Sequence, residues 1–227
     1  MNYLQLSQRL RQEAGLSGSG PTTVVAQTGQ SLKMVSWINT AWEEIQLMRP
    51  NWLFMNAEFT LATVAGQRDI NPVDQAITDL KLWDRESFLI YDPTIGESDQ
   101  NALIYLSYGN WREGYRSRMN DRPNQRPQKI TILPTNYVRF EPRPDAIYTI
   151  EGEYKRSTQV FTLDADVPTN LPDDFHMIIV WKALMYYGFY ENAPEVLDEA
   201  EFNFDNLLFR LEQEQLPEMS TEFETLV

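Results

Sequence analysis

The sequence predicts an α+β fold: a helical bundle formed by N- and C-terminal helices, an inserted antiparallel β-rich region, and an extended C-terminal tail. Three observations carry this. Both ends of the chain repeat apolar residues at helical spacing. The middle switches to short alternating runs cut by prolines. Residues 171–190, LPDDFHMIIVWKALMYYGFY, are apolar on nearly every side of a helix. The predicted boundaries are 1–51 for the N-terminal helices, 52–168 for the β-rich insertion, 169–216 for the C-terminal helices and 217–227 for a flexible arm.

The first helix covers residues 3–14, with Tyr3, Leu6, Leu10 and Ala14 on one stripe. Gly15 suits the left-handed position that ends it, and 17–23 is a loop by composition. The second helix covers 28–48, capped by Ser31 or Thr28 and stopped by Pro50. Met34, Val35, Trp37, Ile38, Ala41, Trp42, Ile45 and Met48 share an arc of about 160°. From Glu58 to about Leu163 short strands are expected: 58–64, 88–91, 103–106, 130–132, 138–140, 146–151 and 160–163. Trp111 to Asn120 is expected as a short helix, since Trp111, Tyr115 and Met119 recur every four residues.

The run at 171–190 opens with Pro172, Asp173 and Asp174, which suit the first turn of a helix. Only His176 and Lys182 interrupt its apolar surface. Met177–Tyr190 is 14 residues long, too short for a bilayer core. It is therefore expected as a central helix covered on all sides. The last helix covers Glu195–Gln215 and packs Val196, Leu197, Ala200, Phe204, Leu207, Leu208 and Leu211 on one face. Phe202, Phe209 and Leu216 repeat every seven residues on the opposite face, a second stripe that reads either as scattered exposed aromatics or as a face buried against another subunit. Beyond Pro217 the tail is acidic with apolar Met219, Phe223, Leu226 and Val227, and reads either as a segment that orders on binding or as a frayed terminus without a role.

Charge is uneven. The chain carries a formal −14; residues 164–227 hold 15 acidic and 2 basic residues, the rest 18 and 17. Such an acidic end does not bind nucleic acid directly, because phosphate attraction needs positive charge. The one basic cluster is Arg112, Arg116, Arg118, Arg122 and Arg126. With Trp111 and Tyr115 it reads either as a nucleic-acid groove or as a docking patch for acidic residues of a neighbouring copy. The acidic balance favours docking.

Chemistry is sparse. There is no cysteine, so neither disulfides nor thiolate metal sites form. A single histidine, His176, on an apolar helix is read as a core or capping residue. The glycines of GLSGSG lack the preceding strand and the GK[ST] of a phosphate loop. Neighbouring carboxylates such as Glu43/Glu44 and Asp173/Asp174 point about 100° apart on a helix and share no site. Met1 to Gly15 is polar, without the apolar run of a secretion signal. No catalytic, cofactor-binding or metal residue is assigned.

Two stretches carry a resemblance. YLQLSQRLRQEAGLSGSGPTTVVAQTGQSLKMVSWINTAWEEIQ resembles the start of bacteriophage head-to-tail adaptor proteins, and LPDDFHMIIVWKALMYYGFYE resembles their helix after a β-rich middle. NWREGY is the best local match between them, and the layout is similar to tail tubular protein A of short-tailed phages. The resemblance implies a structural virion protein, not an enzyme and without a cofactor. It implies a ring, typically dodecameric, between the portal protein and the downstream tail protein at the portal vertex. Neighbouring copies would contact one another, and DNA would pass through the channel without sequence-specific binding. Such a protein is made in the host cytoplasm and has no membrane partner. Two other readings stay open: a nucleic-acid-binding module using Arg112 to Arg126, and a virion-associated glycan hydrolase.

Overall fold

The computed structural model describes residues 1–18, 20–118 and 122–217. In chain order the helices are α1 (Tyr3–Glu13), α2 (Gly29–Met48), α3 (Tyr108–Gly114), α4 (Met177–Glu191) and α5 (Pro194–Gln215). The strands are β1 (Asn56–Ala62), β2 (Asp69–Ile70), β3 (Leu80–Trp83), β4 (Leu89–Tyr91), β5 (Asn101–Ala102), β6 (Ile104–Tyr105), β7 (Lys129–Ile132), β8 (Val138–Glu141) and β9 (Thr149–Arg156). Helices flank a β-rich middle, as the α+β prediction has it. The chain divides into a helical unit, Met1–Met55 with the chain from Thr158 on, and a β unit, Asn56–Ser157.

In the helical unit, Asn2 caps α1 through a capping box, its side chain accepting from the Gln5 N–H while Gln5 returns the bond. Gly15 takes the expected left-handed conformation, φ 66°. Thr28 occupies the N-cap of α2 but its side chain makes no capping bond there, so neither Thr28 nor Ser31 caps it as expected. Met34, Val35, Ile38, Ala41, Trp42 and Ile45 are buried, as the arc predicts. Gln46 is buried beside them, and its amide bonds the Gln159 backbone in both directions.

Pro172 precedes a 3-10 turn, Asp173–Phe175, and the α-helix starts only at Met177. α4 packs against α1, α2 and α5. Ile178, Ile179, Val180, Ala183, Leu184 and Tyr187 are buried within it. Cover is not complete, however: Phe189 is 69% and Tyr190 56% exposed. The cause is the tight elbow into α5. Asn192 turns left-handed, and a Cβ on Gly188 would stand 3.2 Å from Leu197, so α5 folds back over one side of the last turn only.

Val160–Leu163, expected as a strand, forms none. The Asn39 side chain takes the place of a strand partner: its amide donates to the Phe161 carbonyl and its oxygen accepts the Phe161 N–H, both at 2.8 Å. Phe161 thereby joins the helical core beside Tyr3 and Trp42. Trp52, Phe54 and Met55 belong to the same core.

The β unit holds two sheets over one core of Phe59, Leu61, Trp83, Phe88, Ile90, Ile130, Phe140 and Ile150, among others. β9 is the axis of the first sheet. β1 lies along it from Asn56↔Lys155 to Ala62↔Thr149, while β3 and β4 share its other side and β5 extends β4. Gly152 is required there, because a Cβ would come 2.8 Å from the Phe59 ring stacked on it. The second sheet runs β2-β8-β7-β6. Its β6–β7 pair is parallel, which departs from the all-antiparallel expectation. The loop from Ser107 to Gln128 supplies the crossover that parallel pairing needs.

Candidate interaction surfaces

Two surfaces stand out, one on each unit. The first is the arginine segment of the β unit. α3 begins at Tyr108, earlier than expected, because the Ser107 hydroxyl accepts the Asn110 N–H at 3.3 Å. A 3-10 turn, Arg116–Arg118, follows. Trp111 anchors the segment. It is 2% exposed, lies under the Arg139 guanidinium at 4.5 Å and stacks on Tyr108. Arg139 is itself clamped by Asp69, which accepts from Nε at 2.6 Å and from a terminal nitrogen at 2.5 Å. That bond raises the Arg139 pKa further, so the charge is permanent.

The structure does not keep the five arginines together as one free patch. Arg122 pairs with Glu141 at 3.1 Å and lies over the Tyr115 ring at 4.4 Å. Glu141 also binds Arg68 at 2.8 Å, and both of those side chains are buried. Burial pushes the Arg68 pKa down while Glu141 pulls it up. Arg126 pairs with Asp99 at 2.7 Å and donates to the Ile90 and Asp99 carbonyls. The Arg126 bond and the Asp92 amide hold the Asp99 carboxyl below its usual range. Arg112 and Arg116 remain exposed, with no ion pair or hydrogen bond to the described residues. The Arg118 side chain lies outside the described residues.

The second surface is the outer side of α5. Ala200, Phe204 and Leu211 face the core. On the far side, Phe202 is 70% and Phe209 64% exposed, and Asp198 and Asp205 are exposed beside them. Leu216 leaves this stripe. The helix ends at Gln215, Leu216 is extended, and its side chain packs partly buried on the helical core. Met219, Phe223, Leu226 and Val227 lie outside the described residues.

His176 is 2% exposed. Its Nδ1 accepts from the Met1 ammonium, and its Nε2 donates to the Leu171 carbonyl at 3.1 Å. Both ring nitrogens are occupied, as expected of a core histidine. Among the described residues no group of three or more His, Asp or Glu could hold a metal ion. No helix among them is long and apolar enough to cross a membrane.

Sequence reasoning missed Arg68, Asp69, Asp99, Arg139 and Glu141, the residues that fix the arginine segment. The available signal was Val138-Arg-Phe-Glu, an alternating strand with charges of both signs beside a basic cluster.

The family model described as SU10 adaptor protein matches residues 1–221 of this chain. Among curated proteins none matches it.

Proposed function

Because this chain belongs to the SU10 adaptor protein family, a family of phage structural adaptors, we propose that it is the head-to-tail adaptor of its virion, a ring joining portal to tail and lining the DNA channel. A structural adaptor has a non-enzymatic role and works among other virion proteins, portal and tail components in particular. The finer reading places a dodecameric ring at the portal vertex. The observation that carries it is the outer side of α5, where two phenyl rings more than 60% exposed stand on an otherwise acidic helix. Exposed rings in that setting mark a contact rather than a solvated face.

Three features support this reading. Phe202 and Phe209 offer apolar area for a subunit or portal contact. Leu216, Met219, Phe223, Leu226 and Val227 offer anchors for an arm that docks on the portal, although Leu216 already lies partly against the core. The net charge of −14 suits a channel past which DNA slides without adhering. A nucleic-acid groove draws less support, since Arg122 and Arg126 already neutralise Glu141 and Asp99.

The test is co-expression with the portal protein of the same phage genome, followed by electron microscopy of the purified complex. A ring of this chain stacked coaxially on the portal is the expected result. A portal that purifies without it refutes the adaptor reading.

A further inference from the structure

The β unit builds one arrangement three times: an aromatic ring, a guanidinium over it, and a carboxylate gripping the guanidinium. Trp111, Arg139 and Asp69 form the first. Tyr115, Arg122 and Glu141 form the second. Tyr148, Arg126 and Asp99 form the third, at 5.6 Å from guanidinium to ring. The planar guanidinium explains the recurrence, because it lies flat on a π face while its edge donates to a carboxylate.

The outer stripe of α5 carries two of the three parts. Asp198, Phe202, Asp205 and Phe209 fall at spacings of four, three and four, within about 60° of one another round the helix. Carboxylate and ring thus alternate along about 16 Å, at 1.5 Å rise per residue. What the stripe lacks is a guanidinium. Arg112 and Arg116 supply the missing part. They are exposed, four residues apart, on a segment that Trp111 anchors in the core.

Resting on the ring reading above, we infer that the α5 stripe of one copy receives Arg112 and Arg116 of a second copy, each guanidinium lying on Phe202 or Phe209 beside Asp198 or Asp205. Both surfaces are exposed in the single chain, so the molecule that covers them is another one. The stripe and the arginines are different surfaces, so the contact is head-to-tail and leaves the arginines of one copy and the stripe of the other free. Such contacts propagate and close into a ring. Charge favours this occupant over an acidic one: residues 164–227 carry a balance of −13 and repel anything of like sign.

Charge reversal in the full-length chain tests the pairing. One variant carries Arg112→Glu and Arg116→Glu, the other Asp198→Arg and Asp205→Arg. Assembly is read by sedimentation velocity, alone and with the portal protein, and folding by thermal melting. Each variant alone should lose assembly at least about tenfold, since every contact sets like charges together. An equimolar mixture should recover the wild-type mass, because alternating copies then pair opposite charges. Wild-type assembly by either variant alone overturns the pairing, as does a mixture of correctly melting variants that stays unassembled. Should the glutamates disturb folding, Arg112→Gln with Arg116→Gln tests the loss of assembly alone, without recovery in the mixture, and wild-type assembly by that variant overturns the pairing. If the wild-type chain itself fails to join the portal, the adaptor reading fails; if it joins and the variants join equally well, only this pairing does.

Discussion

The Arg139 guanidinium lies 4.5 Å over the buried ring of Trp111, and this stack fastens α3 to the second sheet. The indole N–H has no partner among the described residues, so the ring contributes through area and its π face. Trp111→Ala should therefore destabilise the β unit by about 3–5 kcal/mol, the usual range for emptying a buried tryptophan site. Trp111→Phe should cost far less, because it keeps a ring and removes an unpaired donor. Urea unfolding followed by fluorescence and circular dichroism separates the two, and equal losses would mean the ring face is unimportant.

Glu141 joins Arg68 and Arg122, and it is buried with Arg68. Glu141→Gln strips both arginines of their carboxylate and leaves Arg68 charged in a dry site. The expected loss is about 3–5 kcal/mol. Arg68→Met combined with Glu141→Leu should lose less than Glu141→Gln alone, since it removes both buried charges together. Midpoints of denaturant curves for the three proteins decide this.

What the sequence disclosed follows from the range of the forces involved. α1, α2 and α5 were legible because their stripes, such as Tyr3, Leu6 and Leu10, repeat within a few residues. β1 was legible from the alternation of Phe59 and Leu61. β2, β3 and β5 were not, being two to four residues long and held by partners far along the chain. Val160–Leu163 has strand composition, yet one distant side chain, Asn39, satisfies its backbone. The same limit applies to the arginines. Their density was visible, but Asp99 and Glu141 lie 27 and 19 residues from Arg126 and Arg122. The Phe202 and Phe209 stripe was visible because periodicity is local, whereas the departure of Leu216 depends on where the helix ends.

His176 makes stability depend on pH. Burial, and after it the Met1 ammonium, lowers its pKa from the ordinary 6.5, while the Leu171 carbonyl and Asp173 oppose the shift. The folded chain therefore keeps the ring neutral where the unfolded chain protonates it. Its stabilising effect is complete above about pH 6.5 and declines as pH falls from there through the lowered folded value. Melting temperature should fall between pH 7 and 5, and His176→Gln should flatten that slope. An unchanged slope in the variant would assign the dependence to other groups. Asp92 and Asp99, whose pKa values are also lowered, act in a separate window below about pH 4.

Phe202→Ser with Phe209→Ser tests the outer side of α5. Both rings are exposed, so the double variant should melt within about 1 kcal/mol of wild type, as surface changes do. Assembly should weaken sharply, because exposed rings contribute only when a partner covers them. Sedimentation of the complex with the portal, paired with a melting curve, reads both effects. Cooperative folding with undiminished assembly would remove the rings from the contact. A large loss of stability would make them part of the core.

Deleting residues 217–227 separates the arm from the fold. Leu211 is buried and Leu216 packs partly on the helical core, so α5 keeps its seat without the arm. The truncated chain should therefore retain the wild-type melting temperature. On the arm reading proposed above, portal attachment should be lost, because Met219, Phe223, Leu226 and Val227 are the apolar residues of that segment and the acidic ones between them offer little affinity of their own. Restoring the segment with Phe223→Ser alone should give intermediate attachment if the anchors act together. The measurement is the fraction of portal recovered with the adaptor after co-expression, and full recovery with the truncated chain would place the portal contact elsewhere on the molecule.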